Sequence, residues 1–185
     1  MLIKITLYLI DVVAGFFVYL LLARFYMQWL RVPFRNPIGQ FTVAVTNWMV
    51  APARRVIPSV AGLDLASLLL AFVVQVLGQW AKLAVLGVEP NPVPMLAIAA
   101  TELIRFSLHI LVFSLIVQAI LSWTSPYNPL MPVFDGLTRP FLGPIRRFVP
   151  PVGGIDLSPL ILLVVLQILF IPLEELQKLA AGLGA

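Results

Sequence analysis

Ionisable residues recur at helical spacing inside a long apolar segment in the second half of the chain. Glu102, Arg105 and His109 follow one another at intervals of three and four residues, so they share one face of a helix. Asp11 interrupts a first apolar segment. Ionisable groups at such positions are costly and often mark a path for protons or cations. The alternative is purely structural: Glu102 and Arg105 form an ion pair, His109 is hydrogen-bonded within the protein, and the carboxylate of segment one pairs across to Arg105.

Two pairs of adjacent arginines form the second candidate site. They are Arg54 with Arg55 and Arg146 with Arg147. A guanidinium group binds the oxygens of phosphate and carboxylate groups through paired hydrogen bonds. One interpretation is that the pairs anchor the chain at lipid headgroups and fix its topology. The other is a specific site for an anionic headgroup or for the acidic surface of a partner protein.

An aspartate follows each arginine pair, within a Gly-hydrophobic-Asp-Leu motif that comes just before an apolar segment. These aspartates are Asp64 and Asp156. An anion is favoured at the N-terminus of a helix, so we expect each to cap the next helix or to pair with the nearby arginines. After the second of these motifs, Ser158 and Pro159 are typical of an N-cap residue followed by the first helical residue. An ion or proton site is the alternative role for the two aspartates.

Motifs for catalysis are missing from the sequence. It contains no phosphate-binding glycine-rich loop, no nucleophile elbow, no HExxH and no cluster of carboxylates. A single histidine and no cysteine disfavour a zinc site or a thiol-ligated cofactor. We therefore predict a protein that is not an enzyme and that holds no metal and no cofactor.

The composition indicates a membrane protein. Hydrophobic residues make up 61% of the chain and charged residues 11%, with a mean hydropathy of +1.04. A soluble domain carries roughly 45–50% apolar and 25% charged residues. The basic residues stand as isolated pairs beside apolar segments rather than as one stripe, which disfavours nucleic-acid binding and is typical of membrane orientation signals.

Four apolar segments are long enough to cross a bilayer, which takes about 20 residues. They span approximately Ile5–Leu30, Leu63–Val88, Met95–Trp123 and Leu157–Ala180. Two long connectors join the first segment to the second and the third to the fourth. Each contains an apolar stretch too short to cross, and we expect the prolines at 52, 140 and 144 to interrupt any helix there. We predict that these stretches lie in the interface or dip into the membrane as re-entrant elements.

The chain contains an internal repeat, which becomes visible when the sequence is shifted by 92 positions. Because each copy contributes an even number of crossings, the copies are predicted to be parallel repeats, over residues 1–90 and 91–185. We also expect the glutamine that recurs in the second helix of each copy to bond between helices. The shift aligns Asn36-Pro37 with Asn128-Pro129, Thr46 with Thr138, Pro52 with Pro144, the arginine pairs with each other, Pro58 with Pro150, Gly62 with Gly154, Asp64 with Asp156 and Gln75 with Gln167.

The arginines predict the orientation of the chain. Both connectors are rich in arginine, whereas the lysines on the other side are diluted by glutamates. The excess of positive charge on cytoplasmic loops places the connectors in the cytoplasm, and the termini with the central turn on the outer side of a cell inner membrane.

The repeated unit W-x(n)-NP-x(8)-T-x(5)-P-x-RR-x-x-P, followed by G-[IL]-D-L, resembles the YggT family of small integral membrane proteins. The resemblance covers nearly the whole chain, although Asn47 and Trp48 depart from the usual residues before the first P-x-RR element. It implies two tandem YggT repeats and no established catalytic activity. It also implies a link to osmotic stress and ion homeostasis in bacterial relatives.

Together these features predict an all-α membrane protein with about four transmembrane helices, arranged as two parallel helix–re-entrant or interfacial segment–helix repeats. The predicted function is that of a non-catalytic scaffold, or an assembly and maintenance factor, of the inner membrane. Its expected partners are anionic lipid headgroups and either other membrane proteins or further copies of the chain. The alternative is a small ion-conducting or ion-regulating protein that acts as an oligomer.

Overall fold

The computed structural model describes residues 1–59, 62–125, 127–149 and 156–182. Pro150 and Gly154, which belong to the repeat, lie outside these ranges. Within them the chain forms six α-helices, joined by short connections. The helices are α1 (Leu2–Trp29), α2 (Pro37–Val56), α3 (Leu65–Leu86), α4 (Pro92–Thr124), α5 (Met131–Phe148) and α6 (Ser158–Gly182).

Four of the six helices, α1, α3, α4 and α6, are long and apolar enough to cross a membrane. Their outward faces carry large apolar side chains that no part of the protein covers, such as Phe113 on α4 and Ile168 on α6. Apolar surface on this scale is stable only against lipid. The prediction of an all-α membrane protein with four spanning helices is confirmed, and α2 and α5 are the connector helices.

Short polar residues begin the second and third helices of the first repeat, Asn36 before α2 and Asp64 before α3. The side chain of Asn36 accepts a hydrogen bond of 2.8 Å from the backbone N–H of Gly39, and Pro37 provides the first residue of α2. Both features are favourable at helix N-termini, where backbone N–H groups lack partners. In the second repeat Asn128 accepts from Leu130 at 2.9 Å, so its side chain acts just before α5 rather than inside the first turn.

The connector helices continue through their prolines, so the expected interruption is wrong. Helix α2 extends through Pro52 to Val56, and α5 extends through Pro140 and Pro144 to Phe148. Each proline removes one hydrogen bond and one donor. All three lie on exposed faces of their helices, where the carbonyl groups that lose a partner are not enclosed by protein.

Each repeat has its own apolar core, which its first, connector and last helices build together. In the first repeat Leu21, Val50 and Ala71 are buried together, and in the second Leu115, Leu142 and Leu162. α1 packs mainly against α3, and α4 mainly against α6. The two halves of the chain therefore repeat a packing arrangement as well as a sequence.

The repeats meet where the end of α1 approaches α5. Met27 and Val32 pack there against Val133 and Leu137. Gly136 permits this approach, because a Cβ atom at this position would lie 2.7 Å from Cγ2 of Val32. Further contacts between α3 and α4 and between α1 and α4 complete the interface between repeats.

Candidate functional site

In both repeats an ion pair joins the connector helix to the helix that follows it. Arg54 Nη2 lies 2.6 Å from Asp64 Oδ2, and Arg146 Nε lies 2.8 Å from Asp156 Oδ2. The partners are ten residues apart in each case. The first arginine of each pair therefore fixes the end of a connector helix to the start of the next membrane helix.

The first of these ion pairs is buried around Asp64. This side chain is 0% exposed and caps α3, accepting hydrogen bonds from the backbone N–H and the hydroxyl group of Ser67. Arg54 donates to both of its carboxylate oxygens, a bidentate arrangement. Burial raises the pKa of Asp64, but the hydrogen bonds from Arg54 and Ser67 outweigh it and hold the pKa below its ordinary value.

A second arginine, Arg24, approaches the same carboxylate from inside α1. Its residue is 4% exposed, and its Nε atom lies 3.9 Å from Asp64 Oδ2. It also donates to Thr46 Oγ1 at 2.9 Å and to Asn47 Oδ1 at 3.3 Å. A buried arginine is stable only if it is paired and hydrogen-bonded. Asp64 is thus shared by two guanidinium groups, and α1, α2 and α3 meet at this buried centre.

Sequence analysis did not single out Arg24, although the residue lies inside the first predicted apolar segment. In the structure it lies within α1, which continues to Trp29. The energetic cost of placing an arginine inside the membrane could have identified Arg24 from the sequence, because such an arginine needs an anionic partner. Asp64 is the buried aspartate of the same repeat.

The second repeat uses neutral groups at the position of Arg24. When the tryptophans Trp29 and Trp123 are aligned, Arg24 corresponds to Gln118. Gln118 Oε1 lies 2.6 Å from Thr138 Oγ1, and its Nε2 atom donates to Asp135 Oδ1 at 3.1 Å. The equivalent threonines therefore both bond to the first helix of their repeat, but Thr46 accepts from the guanidinium group of Arg24 whereas Thr138 donates to the amide oxygen of Gln118.

The ion pair of the second repeat is open to solvent. The side chains of Arg146 and Asp156 are 43% and 39% exposed. Asp156 accepts from the backbone N–H of Ser158 at 2.9 Å, so this aspartate caps α6, whereas Ser158 belongs to the helix rather than to its cap. Burial raises the pKa of Asp156, but hydrogen bonds from Ser158 and Arg146 lower it below the ordinary value. The two copies therefore share a geometry but differ in burial.

The second arginine of each pair is not used in this way. Arg55 and Arg147 are exposed, and neither takes part in the ion pairs among the residues that the structure describes. Their neighbours Val56 and Phe148 are 82% and 85% exposed. Each connector helix therefore ends in an uncompensated positive charge beside an exposed apolar side chain.

The polar groups at the other end of the bundle pair with one another. Asp11 lies 2.8 Å from Lys82 Nζ, and Glu102 lies 3.1 Å from Arg105 Nε. Gln177 donates to Glu102 at 2.8 Å. The suggested pairing of Asp11 with Arg105 is wrong, because Lys82 on the neighbouring helix α3 reaches the carboxylate first. A cavity of about 390 Å³ lies between α1, α3 and α4, and its lining includes all four residues of the two ion pairs, Asp11, Lys82, Glu102 and Arg105.

His109 does not line this cavity, although Glu102 and Arg105 do. Its Nδ1 atom lies 3.4 Å from the hydroxyl oxygen of Tyr19, and its ring packs against Phe170. It faces instead a cavity of about 700 Å³ between the two repeats. The described residues that line this larger cavity include no Asp, Glu, Lys or Arg.

The expected interhelical hydrogen bonds from Gln75 and Gln167 are not found among the described residues. Gln75 is buried and borders the polar cavity, whereas Gln167 is exposed. Among the described residues, the glutamines that do bond between helices are Gln28, Gln118 and Gln177. An apolar helix gives its few amide groups equal opportunity for such bonds, and only the packing decides which of them meets a partner.

The buried charges hold helices together, and each lies within an ion pair or hydrogen-bond network. The groups left for a ligand are the exposed arginines on the connector side. Two hydroxyl groups lie beside a possible base, Ser67 beside Asp64 and Tyr19 beside His109, but no catalytic role is indicated for either pair.

Comparisons with known proteins agree with the repeat. The sequence profile of the CCB3/YggT family matches residues 3–85 and 97–177. The Escherichia coli (strain K12) protein named "Uncharacterized protein YggT" is 37% identical over 173 residues, which covers 92% of this chain and 90% of the relative. An uncharacterized Vibrio alginolyticus protein is 37% identical over 86% of this chain and 88% of its own length. A Pseudomonas aeruginosa protein is 34% identical over 96% and 91%.

No solved structure matches the fold of this chain. Two matched segments, one in each half of the chain, and relatives similar over nearly their whole length leave one assignment. The chain belongs to the CCB3/YggT family of membrane proteins.

Proposed function

We propose that this chain is a non-catalytic scaffold of the inner membrane, whose connector helices bind the acidic surface of a partner membrane protein. The observation that carries the proposal is that the two arginines of each pair make different contacts. Arg54 and Arg146 are held by aspartates, and this leaves Arg55 and Arg147 exposed. A charge that stabilises nothing inside the chain is available for a ligand outside it.

The surroundings of the exposed arginines favour a protein partner. Arginine and large apolar residues are enriched in protein interfaces, and Arg147 is followed by Phe148, which is 85% exposed. Arg55 is likewise followed by an exposed valine. The ion pairs keep the end of each connector helix fixed, so little conformational entropy is lost when a partner binds. Anionic headgroups are the competing ligand, since they present the same oxygen chemistry.

Purification in a mild detergent, followed by mass spectrometry of bound proteins and lipids, tests the proposal. The variant to compare with the wild type carries Arg55→Gln and Arg147→Gln. The matched control carries Arg35→Gln and Arg139→Gln, which removes the same charge from the connectors. We expect a stoichiometric membrane protein with the wild type and the control but not with the variant. Lipid alone, or a partner that the variant retains, would overturn the proposal.

The proposed topology places the connectors in the cytoplasm and both termini on the outer side. The excess of arginine in the connectors supports it through the positive-inside rule. In this orientation the exposed arginines lie on the cytoplasmic side of the membrane, so the proposed partner would bind there.

We place the scaffold in the maintenance of membranes under osmotic stress, on the family resemblance alone. The test is growth of a deletion strain after a shift to high osmolarity. Wild-type protein should restore growth, and the Arg55→Gln, Arg147→Gln variant should not. Equal growth of the deletion and parent strains would remove this part of the proposal.

The ion-conducting alternative has one observation in its favour, the cavity that Asp11, Lys82, Glu102 and Arg105 line. The ion pairs among these residues argue against it, because ions moving through the cavity would have to break them. The cavity between the repeats offers no charged lining among its described residues. Liposomes with the purified protein should therefore pass protons and K⁺ no faster than empty liposomes.

A further inference from the structure

A notch at the junction of the two repeats brings together arginines from different halves of the chain. It has a volume of about 430 Å³ and lies between the end of α1, with Arg31, and α5, with Asp135 and Arg139. Both arginines are exposed. Across the described residues, the ion pairs involve neither of them.

The backbone at Arg31 is in a conformation that suits glycine. Its φ is 54°, and the end of α1 is closed by hydrogen bonds from Arg31 N to Gln28 O and from Val32 N to Met27 O. The end of α3 is closed by the same pattern, but there Gly87 occupies the left-handed position. Glycine adopts this conformation without steric cost, whereas arginine does not. The arginine is therefore unfavourable for the fold at this position, and its side chain is free for another role.

An apolar groove leads to the notch. It has a volume of about 360 Å³, and its walls include Leu108 of α4, Phe141 of α5 and Leu166 of α6. Leu30 lines both the groove and the notch. Because α4 and α6 are spanning helices, the groove lies at the depth of lipid chains, and the notch lies at the connector end, where headgroups lie.

We propose that groove and notch together bind one anionic glycerophospholipid, with an acyl chain in the groove and the phosphate between Arg31 and Arg139. Two guanidinium groups can bind one phosphate group, and the apolar groove can hold an acyl chain of the same lipid molecule. The proposal rests on the proposed function in one respect, namely that the connector ends of the helices lie at the headgroups of one leaflet.

The negative charge of Asp135 lowers the affinity of this site for a phosphate group. Its carboxylate lines the notch and accepts a hydrogen bond from Gln118, so it opposes a phosphate while it supports the second repeat. The substitution Asp135→Asn retains an oxygen for Gln118 and removes the charge. We expect it to tighten lipid binding, which a purely structural role of the notch would not produce.

Native mass spectrometry of the delipidated protein tests the site, with dioleoylphosphatidylglycerol as the probe and dioleoylphosphatidylcholine as the zwitterionic control. The variant carries Arg31→Gly and Arg139→Gln, and its control carries Lys4→Gln and Arg35→Gln, two exposed positions that line neither the notch nor the groove. We expect one phosphatidylglycerol per wild-type chain and a loss of about tenfold or more in affinity for the variant only. The Arg31→Gly change should leave the melting temperature unchanged or higher, so unfolding does not explain the loss.

The groove has its own matched pair on α6. Val164 and Val165 are both exposed, but only Val165 lines the groove. Val165→Trp should therefore weaken binding, and Val164→Trp should not. Equal losses in the Arg31→Gly, Arg139→Gln variant and in its control would reduce the effect to general charge attraction and overturn the site, as would equal binding by all variants. This measurement uses the purified chain alone, so it fails or succeeds independently of partner capture through Arg55 and Arg147.

Discussion

The substitution Asp64→Asn, compared with Asp156→Asn, separates the two repeats by the burial of the aspartate and by the second arginine that shares it. Both aspartates cap a helix and pair with an arginine ten residues earlier. Asp64 is fully buried and is shared with Arg24, which is itself 4% exposed. Asp156 is 39% exposed. The same chemical change therefore leaves a buried guanidinium without its carboxylate in one copy and a solvated one in the other.

The expected magnitudes differ clearly. Removing one partner of a buried ion pair costs about 3–5 kcal/mol. We expect the lower end, about 3 kcal/mol, because Arg24 keeps its bonds to Thr46 and Asn47. An exposed ion pair contributes about 0–1 kcal/mol, which is the expected cost of Asp156→Asn. The gap of about 2 kcal/mol or more corresponds to roughly thirtyfold or more in the unfolding equilibrium constant.

Reversible unfolding in mixed micelles of dodecyl maltoside and sodium dodecyl sulfate measures these costs. The double variant Arg24→Gln, Asp64→Asn is the second arm, because glutamine is the residue that corresponds to Arg24 in the second repeat. It removes the unpaired buried charge, so it should be more stable than Asp64→Asn alone. Equal losses from Asp64→Asn and Asp156→Asn, or no recovery in the double variant, would refute the reasoning.

Three further results are expected. The pKa of Asp64 is lowered in the folded protein. The stability that Asp64 contributes is therefore present above about pH 4, the ordinary pKa of an unfolded aspartate, and is lost as the pH falls through the folded pKa. Asp64→Asn should reduce this loss of stability at acid pH. Gly39→Ala should destabilise by about 1–3 kcal/mol, because its Cβ would lie 2.7 Å from a backbone oxygen, whereas Gly143→Ala meets nothing within 4 Å and should be tolerated in the same unfolding assay. The chain has no cysteine, so single cysteines report topology cleanly: in intact cells an impermeant maleimide should label Glu89→Cys but not Gln40→Cys, and the reverse pattern would invert the proposed orientation.

The spanning helices could be predicted because lipid exposure imposes a simple rule on the sequence. Long apolar runs and the repeat of NP, RR and D at constant spacing lead directly to four spanning helices in two similar halves. The connector helices were harder to predict, because proline was expected to break them. A proline on an exposed face costs only local hydrogen bonds, and Pro52, Pro140 and Pro144 all lie on such faces.

The contacts between polar groups could be predicted only where the chain itself keeps the partners close. The aspartate after each arginine pair is a local partner, and it lies where the spacing suggests. Arg24 is 40 positions from Asp64 in the sequence, and only the packing of α1 on α3 brings them together. The choice of Lys82 rather than Arg105 as the partner of Asp11 depends on the same packing, which no local pattern contains.

The most direct test of the scaffold proposal is photo-crosslinking in living cells, with p-benzoyl-phenylalanine placed at position 56 or 148, beside the two arginines and exposed in both cases. A probe at position 89, in the turn on the opposite side, is the control. The proposal predicts one distinct membrane protein crosslinked from both connector positions and none from position 89. Crosslinks to lipid alone, or the same products from all three positions, would contradict it.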